Sequence, residues 1–149
     1  MKIAIGSDHG GFELKEDIRE YLEQEFSDIE VIDCGTKDTS SVDYPDYGAK
    51  VAKTVLNQTA DRGIVFCGTG IGISITVNRF RGIRGTLCHD AFTARMGRMH
   101  NDSNMLVLGG RTTGKDVARD IVKIWIETPF EGGRHQGRLD KIETVTSDQ

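Results

Sequence analysis

The chain has 149 residues, with 19 Lys and Arg against 23 Asp and Glu and a net charge of −4. That length suits one domain able to bury a core without disulfides or metal, and the mild acidity exerts no general pull on nucleic acid or an anionic membrane, so an anionic ligand must be held by locally placed arginines. Cys34, Cys67 and Cys88 are widely spaced and form no C-x-x-C pair, no apolar run approaches membrane-spanning length, and the start reads directly into a strand; together these predict a cytoplasmic protein.

Residues 3–6 read as a first strand and 7–11 as a loop, and Leu14, Ile18, Tyr21, Leu22 and Phe26 then recur at helical spacing. Residues 30–34 read as strand two, ended by Gly35, and 37–47 as a polar loop whose Tyr44-Pro45 step is biased away from helix. A helix through Ala49, Ala52, Val55 and Leu56 leads to strand three at 64–67, which breaks into Gly68, Gly70 and Gly72 before a new apolar segment. Strand four is expected within 83–89, followed by a helix over 91–100 with Phe92, Met96 and Met99 on one face. Strand five spans 104–108 and ends at Gly109-Gly110. The helix over 116–127 has a wider apolar face than one sheet contact requires, which predicts burial of part of it against another subunit. Pro129 stops it, and 134–145 forms a last, loosely attached helix weakened by Gly137.

Strands alternating with helices, five of each, predict an α/β fold with a five-stranded parallel sheet, helices on both faces and strand order 2-1-3-4-5. In that order the switch point lies between strands one and three, so Asp8 and His9 face the Cys67 loop.

Spacing excludes three common readings of the glycines. Gly68, Gly70 and Gly72 give G-x-G-x-G after the third strand, with Ile73 where a dinucleotide fingerprint needs its third glycine. A cysteine phosphatase would close its loop with an arginine six positions after the thiol, and Ile73 stands there. Residues 109–115 match G-x-x-x-x-G-K, but Asp116 follows where a nucleotide loop needs Ser or Thr for the metal.

What remains is a thiol at a strand mouth beside backbone donors and a helix N-terminus, a setting that favours the thiolate. A base so placed suits removal of a proton next to a carbonyl, because the donors can hold the enolate-like oxygen that develops. His100 and Asn101 close the fourth helix, whose C-terminus favours imidazolium, so His100 reads as a candidate acid. His9 sits in a binding-loop position, while Asp8 is equally suited to capping the next helix. Arg134 and Arg138, spaced i, i+4, form a candidate phosphate clamp, and Arg111 is expected at the same sheet edge. Thiol base, acid, anion loop and phosphate clamp together read as proton transfer on a small sugar phosphate.

Five ordered motifs sharpen this reading. They are Gly6-Ser7-Asp8-His9-Gly10-Gly11-Phe12-Glu13-Leu14-Lys15, Asp43-Tyr44-Pro45, Cys67-Gly68-Thr69-Gly70-Ile71-Gly72-Ile73-Ser74, His100-Asn101-Asp102, and Gly132-Gly133-Arg134-His135-Gln136-Gly137-Arg138. Together they resemble the type B ribose-5-phosphate isomerase family over nearly the whole chain. The resemblance implies a Rossmann-like three-layer sandwich and an aldose–ketose isomerase, free of cofactor and metal, that interconverts ribose 5-phosphate and ribulose 5-phosphate through a cis-enediol. It assigns Cys67 as the base and His100 as the acid that opens the furanose ring. It also implies substrate contacts from Asp8, His9, Gly68, Thr69, Gly70, Ile71, Gly72, Asn101, Arg111, Arg134 and Arg138, with the arginines on the phosphate. Cys67 together with Ile73 places the chain with relatives that use a thiol base, since another subgroup has a glutamate at the Ile73 position. The resemblance further implies one domain over 1–149 whose C-terminal tail packs on a partner, and a site shared within a homodimer or a dimer of dimers. Relatives of the family also isomerise six-carbon phosphates such as allose 6-phosphate and galactose 6-phosphate, and a non-catalytic phosphate-ligand domain is the alternative from a different class.

Overall fold

A computed structural model describes residues 1–145. In chain order the elements are β1 (Lys2–Ser7), α1 (Phe12–Glu25), β2 (Glu30–Asp33), α2 (Tyr44–Leu56), β3 (Arg62–Cys67), α3 (Ile71–Val77), β4 (Gly85–Leu87), α4 (Ala91–Asn101), β5 (Met105–Gly109), α5 (Lys115–Glu127) and α6 (Arg134–Val145). All five strands pair in parallel, and the α/β architecture with helices on both faces is as predicted.

The strand order is β2-β1-β3-β5-β4, which corrects the expected 2-1-3-4-5. The reason lies in the strands themselves. Central β3 needs a neighbour that is apolar on both faces, and β5 (Met-Leu-Val-Leu-Gly) is buried along its whole length, whereas β4 has only three half-buried residues and takes the edge. β3 and β5 therefore run in register from Gly63↔Met105 to Cys67↔Gly109.

Side chains alternate across the sheet as period two requires. Ile3, Ile5, Ile64, Phe66, Leu106 and Leu108 pack with buried residues of α1, α4 and α5, while Ala4, Val65, Cys67, Met105 and Val107 pack with α2 and α3. The chain thus leaves β1 and β5 toward one face and β3 toward the other. The predicted switch point between β1 and β3 survives, and the corrected order adds a second one between β3 and β5.

Two helical expectations change. α2 begins at Tyr44, not after Tyr47, because Pro45 occupies the first turn, where a missing N–H costs nothing. The broad apolar face of α5 is used inside the chain: Ala118, Ile121, Val122 and Trp125 are fully buried between the sheet, α1 and α4. On α4 the residues turned inward are Ala94, Gly97 and Arg98, so the Phe92 face is turned outward and Phe92 is 69% exposed. Ile71 and Ile75 on α3 are also more than half exposed. Exposed apolar side chains thus lie on α3 and α4, and on α5 Val117 is 48% exposed outside the buried face. Asp17 of α1 accepts two bonds from Arg119 of α5, at 2.8 and 2.9 Å, which ties that layer together.

The corrected order makes unequal demands on two leucines. Leu106→Ala in central β5 should lower the unfolding free energy by about 2–5 kcal/mol in urea denaturation, and Leu87→Ala in edge β4 should cost clearly less; equal costs would contradict the edge placement of β4.

Candidate functional site

Cys67 ends β3 and is buried. Its Sγ accepts the Gly70 N–H at 3.1 Å, so a backbone dipole points at the sulfur and supports negative charge there. The other two thiols are arranged differently. Cys34 Sγ donates to Ile32 O at 3.9 Å and Cys88 Sγ to Thr86 O at 3.7 Å, and burial pushes the Cys88 thiol up to about 11. Gly70 makes the donation possible by adopting φ +78°, and a Cβ there would stand 2.5 Å from Leu87 Cδ1. The first bond within α3 runs from Ser74 N–H to Gly70 O, which leaves the Gly72 and Ile73 N–H groups without a partner in the helix. Ile71 N–H is taken by Thr69 Oγ1 at 3.3 Å. The result is a thiol beside free backbone donors.

The two neighbouring loops close on this one. Asp8 N–H donates to Phe66 O at 3.3 Å, and the buried Asp8 carboxylate accepts Gly11 N–H at 3.0 Å, which closes the loop ahead of α1 with one of its oxygens without capping the helix, whose N-cap is Gly11. His9 Nδ1 lies 3.2 Å from both the N–H and the C=O of Val42, which leaves Nε2 for a ligand. From the other side, Gly110 N–H donates to Cys67 O and Arg111 N–H to Gly68 O, each at 2.8 Å. The Arg111 guanidinium lies over Gly68, with Nη1 3.0 Å from where a side chain would begin. Lys115, the apparent phosphate-loop lysine, is paired 3.6 Å from Asp17, consistent with rejection of a nucleotide loop. The structure therefore brings together Asp8, His9, Cys67, Gly68, Thr69, Gly70, Ile71, Gly72 and Arg111. Sequence reading quoted Tyr44 in a motif but gave it no place at the site, where its ring Cζ stands 2.6 Å from where a Gly72 side chain would begin, and it missed Val42, which holds His9. Pro45 in the first turn of α2 is the signal that could have placed Tyr44.

His100, Asn101, Arg134 and Arg138 lie elsewhere. The helices run back against the strands, so the C-terminal end of α4 stands at the edge where strands begin. Asn104 O, just beyond it, accepts the N–H of Gly63 near the start of β3, whereas Cys67 ends that strand. Five residue steps at a rise of ~3.3 Å put the two ends roughly 17 Å apart. The end of α4 is held firmly: Arg84 donates to Asn101 O at 3.0 Å and Asp102 O at 3.1 Å, satisfying carbonyls that a helix C-terminus leaves open, and Arg98 donates to the Asp102 carboxylate Oδ1 at 2.9 Å. α6 crosses the same edge, where Glu143 pairs with Arg84 at 3.3 Å. The expectation that Arg111 shares an edge with Arg134 and Arg138 is thus corrected, because β5 runs from the edge of His100 to the edge of Arg111. Arg134 and Arg138 are exposed and, among the described residues, have no ion pair.

The His100 ring stacks on His135 with centroids 4.3 Å apart and planes 13° apart. Glu131 Oε2 lies 3.9 Å from His100 Nε2 and 3.7 Å from His135 Nε2. Burial first, then the charges of His100, Arg134 and Arg138, hold His135 below the usual imidazole range against the opposing pull of Glu131. Among the described residues no helix is long and apolar enough to cross a membrane.

A sequence profile of the ribose/galactose isomerase family matches residues 3–142. The ribose-5-phosphate isomerase B of Escherichia coli is 44% identical over 144 residues, covering 97% of this chain and 95% of that protein. The ribose-5-phosphate isomerase B structure from Clostridium thermocellum superposes with a TM-score of 0.96 at 51% identity, covering 99% of each chain. A ribose 5-phosphate isomerase from Thermotoga maritima gives 0.93 at 52% identity, over 97% of this chain and 98% of that one.

The sulfur geometry separates the three thiols experimentally. Under limiting iodoacetamide at pH 8, peptide mass spectrometry should find Cys67 alkylated well before Cys34 or Cys88; indiscriminate labelling would contradict a special role for the Gly70 N–H.

Proposed function

The chain belongs to the ribose/galactose isomerase family and is a sugar-phosphate isomerase that interconverts ribose 5-phosphate and ribulose 5-phosphate; from that premise we propose that Cys67 is the proton-transferring base and that each site is completed by a second copy of the chain. The observation that carries this reading is the Gly70 N–H donated to Cys67 Sγ at the sheet's switch points.

The reaction has two parts. Ribose 5-phosphate is a furanose, so the C1–O4 bond must first break as O4 gains a proton and the C1 hydroxyl loses one, and His100 supplies the proton to O4. The Cys67 thiolate then removes the C2 proton while C1 and C2 become doubly bonded and charge collects on O1. Donors of the Gly68–Gly72 loop stabilise that charge where it develops. The thiol returns the proton to C1, the O2 proton moves to O1, and the ketose results. Arg111 beside the loop, with Arg134 and Arg138 from the second copy, holds anionic and polar ends of the substrate, and Asp8, His9 and Asn101 position its hydroxyls.

The need for a second copy follows from the separation of the two edges, which exceeds the reach of a five-carbon sugar phosphate. Ile71 and Ile75 beside the Cys67 loop, and Phe92 at the start of α4, supply the exposed apolar surface that such an interface covers. The unpaired arginines of α6 would then face the neighbour's loop, with the tail docking there. Three free thiols suit a cytoplasmic setting.

Cys67→Ser should abolish exchange of the C2 proton of ribose 5-phosphate with deuterated water, read by NMR, while leaving sugar-phosphate binding largely intact; persistence of exchange in this variant would remove Cys67 from the chemistry.

A further inference from the structure

Three side chains meet at the edge where α4 ends, and the reaction as described uses only one of them. His100 comes from the last turn of α4, and its side chain is 38% exposed. Glu131 is pinned against that turn by its own N–H, which donates to Met99 O at 3.0 Å, and its side chain is half exposed. His135 arrives after Gly132 and Gly133, whose φ values of +69° and +55° turn the chain back, and its side chain is 5% exposed. His135 Nε2 is fully buried and has no hydrogen-bond partner among the described residues.

A buried polar atom without a partner is normally a cost of order 1–3 kcal/mol, so the ring is held here for something other than its nitrogen. Its flat face supplies the reason, since it lies against His100. A divalent cation does not account for the cluster. Imidazole lone pairs lie in the ring plane, and two rings within 13° of parallel direct theirs side by side, not toward a common ion. The carboxylate lies beyond hydrogen-bond range of both rings yet close enough to act through its charge.

Resting on the reading of His100 as the ring-opening acid, we infer that His135 and Glu131 are positioning residues for it: His135 is the floor that fixes the plane of the His100 ring, and Glu131 is the carboxylate whose negative charge faces the His100 Nε2. Burial of His135 disfavours charge on its ring, while the His100 ring that rests on it stays open to solvent and substrate. Other charges around the pair are Arg134 and Arg138 on α6, Arg95 on α4 and Glu127 at the end of α5, while Arg84 is paired with Asp102 and Glu143 and Arg98 with Asp102 at the helix end.

The substrates themselves separate this role from a merely structural one. Ribose 5-phosphate must be opened, whereas ribulose 5-phosphate cannot close to a furanose because its C5 oxygen carries the phosphate. Exchange of the C1 protons of ribulose 5-phosphate with deuterated water therefore needs the base but not the ring-opening acid. His135→Ala should lower kcat for ribose 5-phosphate isomerisation about tenfold or more, within the range of general-acid contributions, while C1 exchange on ribulose 5-phosphate stays within about twofold. His135→Phe, which keeps a flat ring and loses no hydrogen bond at Nε2, should recover most of the lost rate, and the exposed Glu131→Gln should show the same split more weakly. Equal loss of both reactions in His135→Ala, or no recovery in His135→Phe while that variant remains folded, would overturn the inference. His100→Asn tests the underlying reading by itself: if it fails to separate the two reactions, His100 is not the ring-opening acid, whatever the His135 variants do.

Discussion

A parallel sheet sends every strand in one direction and every connecting helix back in the other, and the chemistry of this protein depends on that constraint. Loops that follow strands collect at one edge, and helix C-termini collect at the opposite edge. Cys67, with the glycine loop, belongs to the first set; His100, with Arg134 and Arg138, belongs to the second. No rearrangement of side chains brings them together within one chain, because the whole length of β3 and β5 lies between them. A second copy, turned so that its opposite edge covers the first copy's loops, removes the difficulty without changing the fold.

At the loop edge the sheet order does further work. The chain leaves β3 toward the α2–α3 face and leaves β1 and β5 toward the other, so the Cys67 loop stands in a notch with crevices on both sides. Backbone bonds from Asp8, Gly110 and Arg111 fasten it to both neighbours, and the left-handed Gly70 turns its own N–H onto the sulfur. A proton-abstracting thiol needs charge stabilised on sulfur and then on a substrate oxygen, and fixed backbone donors provide both without reorganising during the reaction. At the helix edge the proposed acid, His100, is held just as firmly, through Arg84 on the last carbonyls of α4, Arg98 on the Asp102 carboxylate and the flat contact with His135.

Much of this was legible in the residues. Period-two and helical spacings placed all five strands and the main helices, and the thiol, the glycines and the switch point between strands one and three could be read together. Strand order was not read correctly, because spacing places strands along the chain without ranking them by burial on both faces, and of 83–89 only Gly85–Leu87 pairs, as the edge strand. The broad face of α5 suggested an interface because sequence cannot show that α1 and α4 flank it. The misplaced Arg111 followed from grouping cations by charge alone, when the direction of β5 decides which edge each occupies. His135 and Glu131 gave no signal, since one is a lone histidine in an arginine motif and the other a surface carboxylate, and only their convergence on His100 distinguishes them.

The central claim is that one site needs Cys67 from one copy and His100 from another, and subunit mixing tests it most directly. Cys67→Ser and His100→Asn variants, each close to inactive on ribose 5-phosphate, are co-expressed and the mixed dimers assayed. Random pairing gives half mixed dimers, each with one of its two sites intact, so the account requires about a quarter of wild-type activity. A mixture as inactive as its parents would show that both groups must lie in the same chain, and would contradict the shared site.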